Sequence, residues 1–429
     1  MVLKAVKKIY SDINWNDLLD INKERVNIYG GVPGLTLFFE LFCRYENHAF
    51  KKKEILEQMT EQVSYSLNNL DKLEQNAALS GYAGVLWLLL VLKKQGVYDE
   101  LDEYIEQLSK VIVESTKNDL KHHNYDLLHG LIGKLLILGR AHRTMPNPET
   151  KAAIERAVNQ GLEAVLNASV ILTDQQEAYW LSPKLHEDVV SVGLAHGQAS
   201  YIWALSAICQ EGKAFISPNI RSAIKQTIHQ ACNFLTHRML VEEGNHIHVN
   251  LQNYFSVHQA VEPSTRHTLS WCNGGLGVCI ALTKASELLE DNTIEKQAIT
   301  ILSALSKIRK EDSNIWQEGK NIDCGMCHGT LGVFFIFYIL HRKFGNIEFK
   351  EAYEYWLNQA MNNICWNEPF LGMKVCSVDY VNDTRVMCWD YMSGLLNGAA
   401  GYGLILLSYY LLEQHQCTEG DLPWLSIFI

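Results

Sequence analysis

Two cysteines and a histidine have residue types and positions that could bind a metal ion. Cys272 lies in the sequence Ser270-Trp-Cys-Asn-Gly274, and Cys327 and His328 open the sequence Cys327-His-Gly-Thr-Leu-Gly332. Thiolate and imidazole are borderline-soft donors that suit Zn²⁺, and three protein ligands leave its fourth coordination position open. The sequence therefore predicts a three-ligand zinc site with room for a substrate. The alternative is that both cysteines are inert core residues, since free cysteine is often buried.

These residues stand at equivalent positions of a repeat. A motif of Gly-x-x-Gly followed by large apolar residues recurs along the chain, with one degenerate copy in which Ser200 replaces the second glycine. The first glycines of the copies are Gly31, Gly81, Gly130, Gly197, Gly274, Gly329 and Gly398. We number positions backwards from that glycine, so that Cys272 and Cys327 share position −2 while His196 and His328 share position −1. If all the repeats point the same way, these side chains converge at one end of the fold.

The segments after the glycine motifs predict buried helices. Leu35–Phe39 and Val333–Phe337 consist almost wholly of large apolar residues, and a helix that is apolar on every side must be buried on every side. The segments between motifs, such as Lys51–Leu70 and Tyr98–Glu114, are amphipathic and charged. Seven buried helices that alternate with seven half-exposed ones predict an all-α (α/α)7 toroid of inner and outer helices. We expect residues 1–429 to form this toroid as one domain, because an open solenoid would expose one flank of each inner helix.

Two stretches interrupt the helical pattern. Ala178–Val190 and Glu242–Pro263 look less helical, and the second includes the strand-like alternation of His246–Leu251. We expect these stretches to form loops or short hairpins at the rim of the fold. A G-x-G-x-x-G loop within a βαβ pattern is absent from the sequence, which argues against a dinucleotide-binding fold.

Composition excludes several classes of protein. With 37 Lys and Arg against 48 Asp and Glu, the formal net charge is −11, and a dedicated nucleic-acid binder would be basic. The longest apolar runs, such as Val85–Leu92, are far shorter than the about 20 residues that a membrane span needs, and the N-terminus lacks an apolar signal segment. The 11 cysteines are odd in number and widely spaced, unlike a disulfide framework. We therefore expect a cytoplasmic protein with reduced cysteines.

These motifs together resemble the LanC family, the lanthionine cyclases and their relatives. The resemblance spans nearly the whole chain and rests on the sevenfold glycine motif and on Leu194-Ala-His-Gly197, Ser270-Trp-Cys-Asn-Gly274 and Cys327-His-Gly-Thr-Leu-Gly332. It implies an (α/α)7 toroid with one zinc ion per chain, bound by Cys272, Cys327 and His328, and with no other cofactor. Members of the family join a cysteine of a dehydrated precursor peptide to a dehydroalanine or dehydrobutyrine residue. The product is a thioether ring, lanthionine or methyllanthionine.

The resemblance also implies two residues that handle protons. Asp126, in Tyr125-Asp-Leu-Leu-His-Gly130, matches the family's active-site aspartate and would orient His196. Imidazole titrates near neutral pH, so His196 is the expected general acid. The alternatives are that Asp126 caps the third inner helix and that His196 is a structural histidine. His129 could take part or could simply line the mouth of the site.

The sequence departs from the family at several positions. Arg266 stands six residues before Cys272, whereas the family's arginine stands four residues before its cysteine, so Arg266 is a third candidate catalytic residue by position alone. Asn273 replaces the tyrosine or histidine that usually follows that cysteine, which removes one proton-handling group. Cys324 forms a C-x-x-C pattern with Cys327, but no second C-x-x-C exists to complete a four-ligand site. We expect Cys324 to be a bystander or a neighbour of the metal ligands.

The leading hypothesis is a stand-alone, zinc-dependent lanthipeptide cyclase, because no dehydratase or kinase domain precedes the predicted toroid. Two alternatives stay open: a LanC-like protein that uses or binds glutathione, and a non-catalytic scaffold whose zinc is structural. A protein prenyltransferase is disfavoured because its Asp-x-Cys ligand pattern does not surround Cys272. The resemblance implies a dehydrated precursor peptide with its leader as the substrate, and a dehydratase and an exporter as partners in a biosynthetic complex at the inner membrane.

Overall fold

The helices and strands lie within residues 1–13, 28–29, 32–46, 77–96, 101–181, 189–243, 246–257, 268–381 and 384–429, which the computed structural model describes. Its α-helices are α1 Val2–Asp12, α2 Val32–Glu46, α3 Tyr82–Lys94, α4 Asp102–His122, α5 Leu131–Thr144, α6 Pro148–Asn167, α7 Gln198–Glu211, α8 Pro218–Met239, α9 Gly275–Leu289, α10 Asn292–Leu305, α11 Thr330–Phe344, α12 Ile347–Asn362 and α13 Ala399–Glu413. Its strands are β1 Ser169–Leu172, β2 Glu177–Trp180, β3 Val189–Ser191, β4 Leu240–Glu243, β5 His246–Val249, β6 Tyr254–Ser256, β7 Gln317–Glu318, β8 Asn321–Ile322, β9 Val375–Val381 and β10 Thr384–Asp390.

The chain divides into two compact units. The first unit comprises Met1–Leu73 and Ile315–Ile429, and the second comprises Glu74–Asn314. The prediction of one domain over residues 1–429 stays a prediction.

The predicted inner helices are all present. α2, α3, α5, α7, α9, α11 and α13 each begin directly after the first glycine of a motif copy. For all of them except α2, that glycine is the described N-cap residue. In α3 every residue from Tyr82 to Leu92 is buried, as a helix that is apolar all round requires. The glycine motif therefore marks the helix starts.

Close backbone approach explains why glycine is needed at these starts. A Cβ atom on Gly274 would lie 2.4 Å from the carbonyl oxygen of Thr268, and one on Gly277 would lie 2.2 Å from that of Trp271. No larger residue fits at either position unless the loop before α9 moves away. The amide of Gly275 also donates to the carbonyl of Thr268 at 3.0 Å, so this loop is packed tightly onto the first turn of its helix.

The helices of each unit form an inner and an outer layer. In the second unit α3, α5, α7 and α9 contact one another in chain order, and α4, α6, α8 and α10 pack against them. α4 buries Ile105, Leu108 and Ile112, the spacing of a one-sided apolar stripe. In the first unit α11 packs against α12 and α13, and α13 packs against α1 and α2. The predicted outer helix within Lys51–Leu70 lies outside the described residues.

Several outer helices begin with a side-chain cap, which the described starts of α3, α5, α7, α9, α11 and α13 lack. The side chain of Asn147 accepts hydrogen bonds from the first amides of α6, and that of Ser217 does the same for α8. Each of these helices has proline at its first position, where the missing N–H costs nothing. Asp291 and Asn346 cap α10 and α12 in the same way, whereas α4 begins after Leu101 without a side-chain cap.

The two stretches predicted to be less helical contain β5, β6 and parts of β2, β3 and β4, whereas β1 precedes the first stretch. β1 pairs with β2, β4 with β5, and β3 with β6, all antiparallel. The strands lie in the connections that lead into α7 and α9, and short paired strands are present in both stretches. Residues 182–188 and 258–267 of these stretches lie outside the described residues. In the first unit β7–β8 and β9–β10 form the equivalent hairpins before α11 and α13.

A buried ion pair ties an inner helix to an outer one. Lys134 Nζ lies 2.6 Å from Asp119 Oδ2, and Lys134 is 1 % and Asp119 4 % exposed. Burial lowers the pKa of Lys134 and raises the pKa of Asp119, and in each case the charge of the partner opposes the shift. Asn124 Nδ2 donates to Asp119 at 3.3 Å and to the carbonyl of His129 at 3.2 Å. The pair thus supports the loop that leads into α5.

We predict that Lys134→Met destabilises the fold by about 3–5 kcal/mol, because it leaves the Asp119 carboxylate buried without its cation. Urea unfolding followed by circular dichroism measures the loss. The double variant with Asp119→Leu should regain most of it, since both charges are then removed. Lys117→Met is the matched control: its ion pair with Glu114 is exposed, and such pairs contribute less than about 1 kcal/mol. Equal stabilities of Lys134→Met and Lys117→Met would contradict the assignment of Lys134–Asp119 as a stabilising buried ion pair.

Candidate active site and metal ligands

The loops that precede neighbouring inner helices are hydrogen-bonded to one another. In the second unit the amide of Ala195 donates to the carbonyl of Cys272 at 2.9 Å. In the first unit the amide of Cys327 donates to the carbonyl of Leu396, and the amide of Leu396 donates to that of Tyr29, each at 3.1 Å. All five residues stand at position −2 of their motif copies. Within each unit, equivalent loop residues are therefore aligned side by side.

Asp126 and His196 form a carboxylate–imidazole pair in the second unit. Asp126 Oδ2 lies 2.6 Å from His196 Nδ1, and Asp126 Oδ1 accepts the backbone N–H of His129 at 2.7 Å. The His196 side chain is 43 % exposed, whereas that of Asp126 is 21 % exposed. An Nδ1–H of His196 would donate a hydrogen bond to the Asp126 carboxylate, and Nε2 would then face a reacting group. The structure thus brings the two residues together, and their catalytic roles stay predictions.

His129 belongs to the same cluster. Its ring stacks on that of His196 with 5.4 Å between centroids and 17° between planes. Its Nδ1 is 2.6 Å from Ser80 Oγ, and Ser80 Oγ also donates to the carbonyl of Leu128 at 2.8 Å. Sequence reasoning missed Ser80, although it stands at position −1 of its copy, like the two histidines. That shared position was the signal that could have identified it.

Buried aromatic residues adjoin the carboxylate–imidazole pair. Tyr201 is almost wholly buried, and burial, with the nearby charge of Asp126 as the second cause, raises its pKa. Its ring stacks on that of Trp180 at 4.5 Å between centroids. Burial also raises the pKa of Tyr125. Both phenols therefore keep their protons at neutral pH, and together with Trp180 they line a cavity of about 440 Å³.

Cys327 and His328 lie in the first unit, immediately before the N-cap of α11. Cys327 is buried, and the side chain of His328 is 26 % exposed. His328 Nε2 lies 3.4 Å from Oδ2 of Asp323, a carboxylate that has no exposed surface. Sequence reasoning did not single out Asp323. The two candidate ligands are thus adjacent in a loop that is closely packed yet reachable from outside.

Cys272 lies in the second unit, in the loop before α9, and is half-buried. The predicted ligands are therefore divided between the units, with Cys272 in one and Cys327 and His328 in the other. Two thiols and one imidazole are a donor set that suits zinc. The residues fit the implied metal by their chemistry, and their assembly into one site is a matter of proposal.

The C-x-x-C partner of Cys327 differs from the candidate ligands. Cys324 is buried, and its thiol lies 3.4 Å from the carbonyl oxygen of Ile322. Burial raises the pKa of Cys324 to about 12, so the thiolate that metal ligation requires is disfavoured. Burial likewise raises the pKa of Cys232 and Cys279, which act as core residues.

The two remaining sequence candidates contribute less. Arg266 lies outside the described residues. Asn273 is half-buried, and its backbone N–H donates to Ser270 Oγ at 3.2 Å. Ser270 thus closes its loop as Asp126 does four residues before Gly130, but without a charge.

The protein belongs to the lanthionine synthetase C-like protein family. The family model matches residues 23–423, nearly the whole chain. Comparison with curated proteins gives no significant match. Among the described residues, no helix is both long enough and apolar enough to cross a membrane.

A solved structure with the same fold is that of nisin cyclase. It is 16 % identical in sequence, with a TM-score of 0.67, and the match covers 100 % of this chain and 98 % of that one. The likeness confirms the predicted all-α fold class, that of an α/α toroid. At this level of identity it establishes the fold and not the activity.

We predict that Asp126→Asn changes the tautomer of His196 without unfolding the protein. The carboxylate accepts the proton on Nδ1, so ¹⁵N spectra of labelled histidine should show the Nε2–H form of His196 gaining population in the variant. The control is Asp291→Asn. Asp291 Oδ2 lies 3.8 Å from Nε2 of the exposed His229, so this substitution should leave the His196 spectrum unchanged. A His196 signal identical in wild type and Asp126→Asn would refute the pairing.

Proposed function

We propose that the protein is a zinc-dependent lanthionine synthetase, which closes thioether rings in a dehydrated precursor peptide. The observation that carries the proposal is the Asp126–His196 pair, at 2.6 Å, on a loop of the same repeat type as those bearing the candidate ligands. Family membership and the shared fold support the same conclusion. The reaction is the addition of a peptide cysteine to a dehydroalanine or dehydrobutyrine residue.

In this proposal Cys272, Cys327 and His328 hold one zinc ion per chain. Bound zinc would supply a Lewis acid that favours the thiolate form of the substrate cysteine. A free thiol with a pKa of about 8.5 is only about 3 % ionised at pH 7, so full ionisation is worth about 2 kcal/mol. The protein's further contribution is to hold the thiolate and the dehydrated residue together, which favours ring closure over reaction with external thiols.

His196 completes the reaction in this scheme. The sulfur attacks the β-carbon of the dehydrated residue, the C=C π electrons move toward the carbonyl, and an enolate forms. His196, as the imidazolium, then donates the proton on Nε2 to the α-carbon and keeps the proton on Nδ1, which is hydrogen-bonded to Asp126. The proton released when the substrate thiol ionises passes to solvent, and the exposed His196 imidazole takes up one proton from solvent to restore the imidazolium. The net change is one new C–S bond and one new C–H bond.

The substrate would be a precursor peptide with leader and core segments, dehydrated beforehand at serine or threonine. The formal charge of −11 suits a cationic peptide. A dehydratase, an exporter and a place at the inner face of the membrane are the further partners and location that family resemblance adds to this proposal. Antibiotic biosynthesis is the corresponding cellular role.

We predict that Cys272→Ala loses ring formation and most of the zinc. Wild type should contain one zinc per chain by elemental analysis and should close rings in a dehydrated peptide, as followed by mass spectrometry after thiol alkylation. Cys388→Ala, which alters a half-buried cysteine on β10, is the control and should keep both properties.

Full ring closure by metal-free Cys272→Ala would contradict the proposal. The same assay with added glutathione separates the main alternative, because glutathione adducts in place of rings would indicate an enzyme that uses the external thiol.

We predict that His196→Ala slows ring formation by about 10²–10⁴-fold, the usual contribution of a positioned general acid, with the zinc content unchanged. Water would then protonate the enolate from both faces, so the rings should form as a mixture of diastereomers at the α-carbon. Chiral gas chromatography of hydrolysed product measures that ratio. His229→Ala, which alters an exposed histidine of α8, should change neither quantity. An unchanged rate and a single diastereomer in His196→Ala would rule out His196 as the proton donor.

A further inference from the structure

Asp323 is a buried carboxylate with an unusual set of contacts. It is 0 % exposed and lies in the first unit, between β8 and the loop that contains Cys327. Its Oδ1 accepts the amide of Gly325 at 2.7 Å, and its Oδ2 accepts the amide of Cys376, on β9, at 2.9 Å. Its carbonyl oxygen accepts the amide of Thr330 at 2.8 Å. Side chain and backbone are therefore fixed from several sides.

The carboxylate is particular to this copy of the repeat. Asp323 stands at position −6, and the same position holds Asn124, Thr268 and Met392 in other copies. Those uncharged residues can close the same turn, so loop geometry does not require a carboxylate. Burying a charge is costly unless partners compensate it. A carboxylate at this position therefore needs a reason beyond folding of the loop.

The imidazole of His328 supplies that reason. His328 Nε2 lies 3.4 Å from Asp323 Oδ2, which is longer than a standard hydrogen bond and can be closed by a small rotation of the ring. Asp323 cannot move away, because both of its oxygens are held by backbone amides. A histidine that donates one N–H to a fixed carboxylate presents its other nitrogen in a defined direction.

We propose that Asp323 is a positioning residue that holds the Nε2–H of His328 and so directs Nδ1 toward the metal. The inference rests on the ligand assignment under the proposed function. Carboxylate partners of this kind fix the tautomer and orientation of ligating histidines, and their removal typically costs about 10–100-fold in metal affinity.

The first test needs no metal. In the zinc-free wild-type protein, ¹⁵N spectra of labelled histidine should show His328 as the Nε2–H tautomer, with the signal assigned through His328→Ala. Asp323→Asn should shift His328 toward a mixture of tautomers. The Nδ1–H tautomer as the major form in wild type would overturn the proposal, whether or not Asp323→Asn folds.

The second test measures zinc affinity by competition with a chromophoric chelator. Asp323→Asn should weaken zinc binding by about 10–100-fold and should alter the visible spectrum of the cobalt-substituted protein. In a His328→Ala background the same change should have no further effect on affinity, because Asp323 acts through that imidazole. Asp421→Asn is the matched control, since its carboxylate accepts the backbone amide of Thr418 in the same unit and should leave affinity unchanged.

The outcomes separate this proposal from the proposed function. Equal zinc affinity of wild type and Asp323→Asn, or equal losses with and without His328, would overturn the role of Asp323 while leaving the zinc site intact. Absence of zinc binding by the wild-type protein would instead overturn the ligand assignment, and with it the metal-directed role of Asp323.

Discussion

Close backbone packing at the start of the inner helices is the constraint on which the rest of the structure depends. A glycine N-cap lets the loop pack against the helix start, as at Gly274, where a Cβ would lie 2.4 Å from the carbonyl oxygen of Thr268. The amide of Gly275 bonds to the same carbonyl, so the loop becomes one compact turn. Hydrogen bonds between turns, such as that from Ala195 to Cys272, then align equivalent residues. Any side chain in place of the glycine would disturb both the turn and its neighbour.

This constraint also decides where polar chemistry can be placed. The inner helices are buried on every side, so functional groups occupy the loops just before them. Asp126 shows how closely folding and function are joined there. One of its oxygens accepts the amide of His129 and closes the turn, while the other accepts from His196 at 2.6 Å. The His196 imidazole is therefore oriented by the Asp126 carboxylate, which the folded loop holds in place.

Buried charged residues contact the same loops and hold them in place. The Lys134–Asp119 pair reaches the turn before α5 through Asn124, and Asp323 anchors the turn before α11 to β9. In water such groups would be hydrated, so their burial requires close partners. Each charge is met by backbone amides, an opposite charge or an imidazole. The contacts that compensate each buried charge therefore hold the loop in place, and the side chains on that loop keep a defined direction.

The sequence by itself determined where the inner helices begin and which residues occupy positions −1 and −2, because glycine spacing and apolar runs are local patterns. Family resemblance added the association of Asp126 with His196, but not which atoms meet. Only the tertiary structure decided that Ser80 contacts His129, 49 residues away, and that Asp323 is fixed by a strand 53 residues later. Those contacts depend on hydrogen bonding between successive loops and on the burial of a carboxylate. Neither is encoded in a local pattern, since both arise when distant segments pack together.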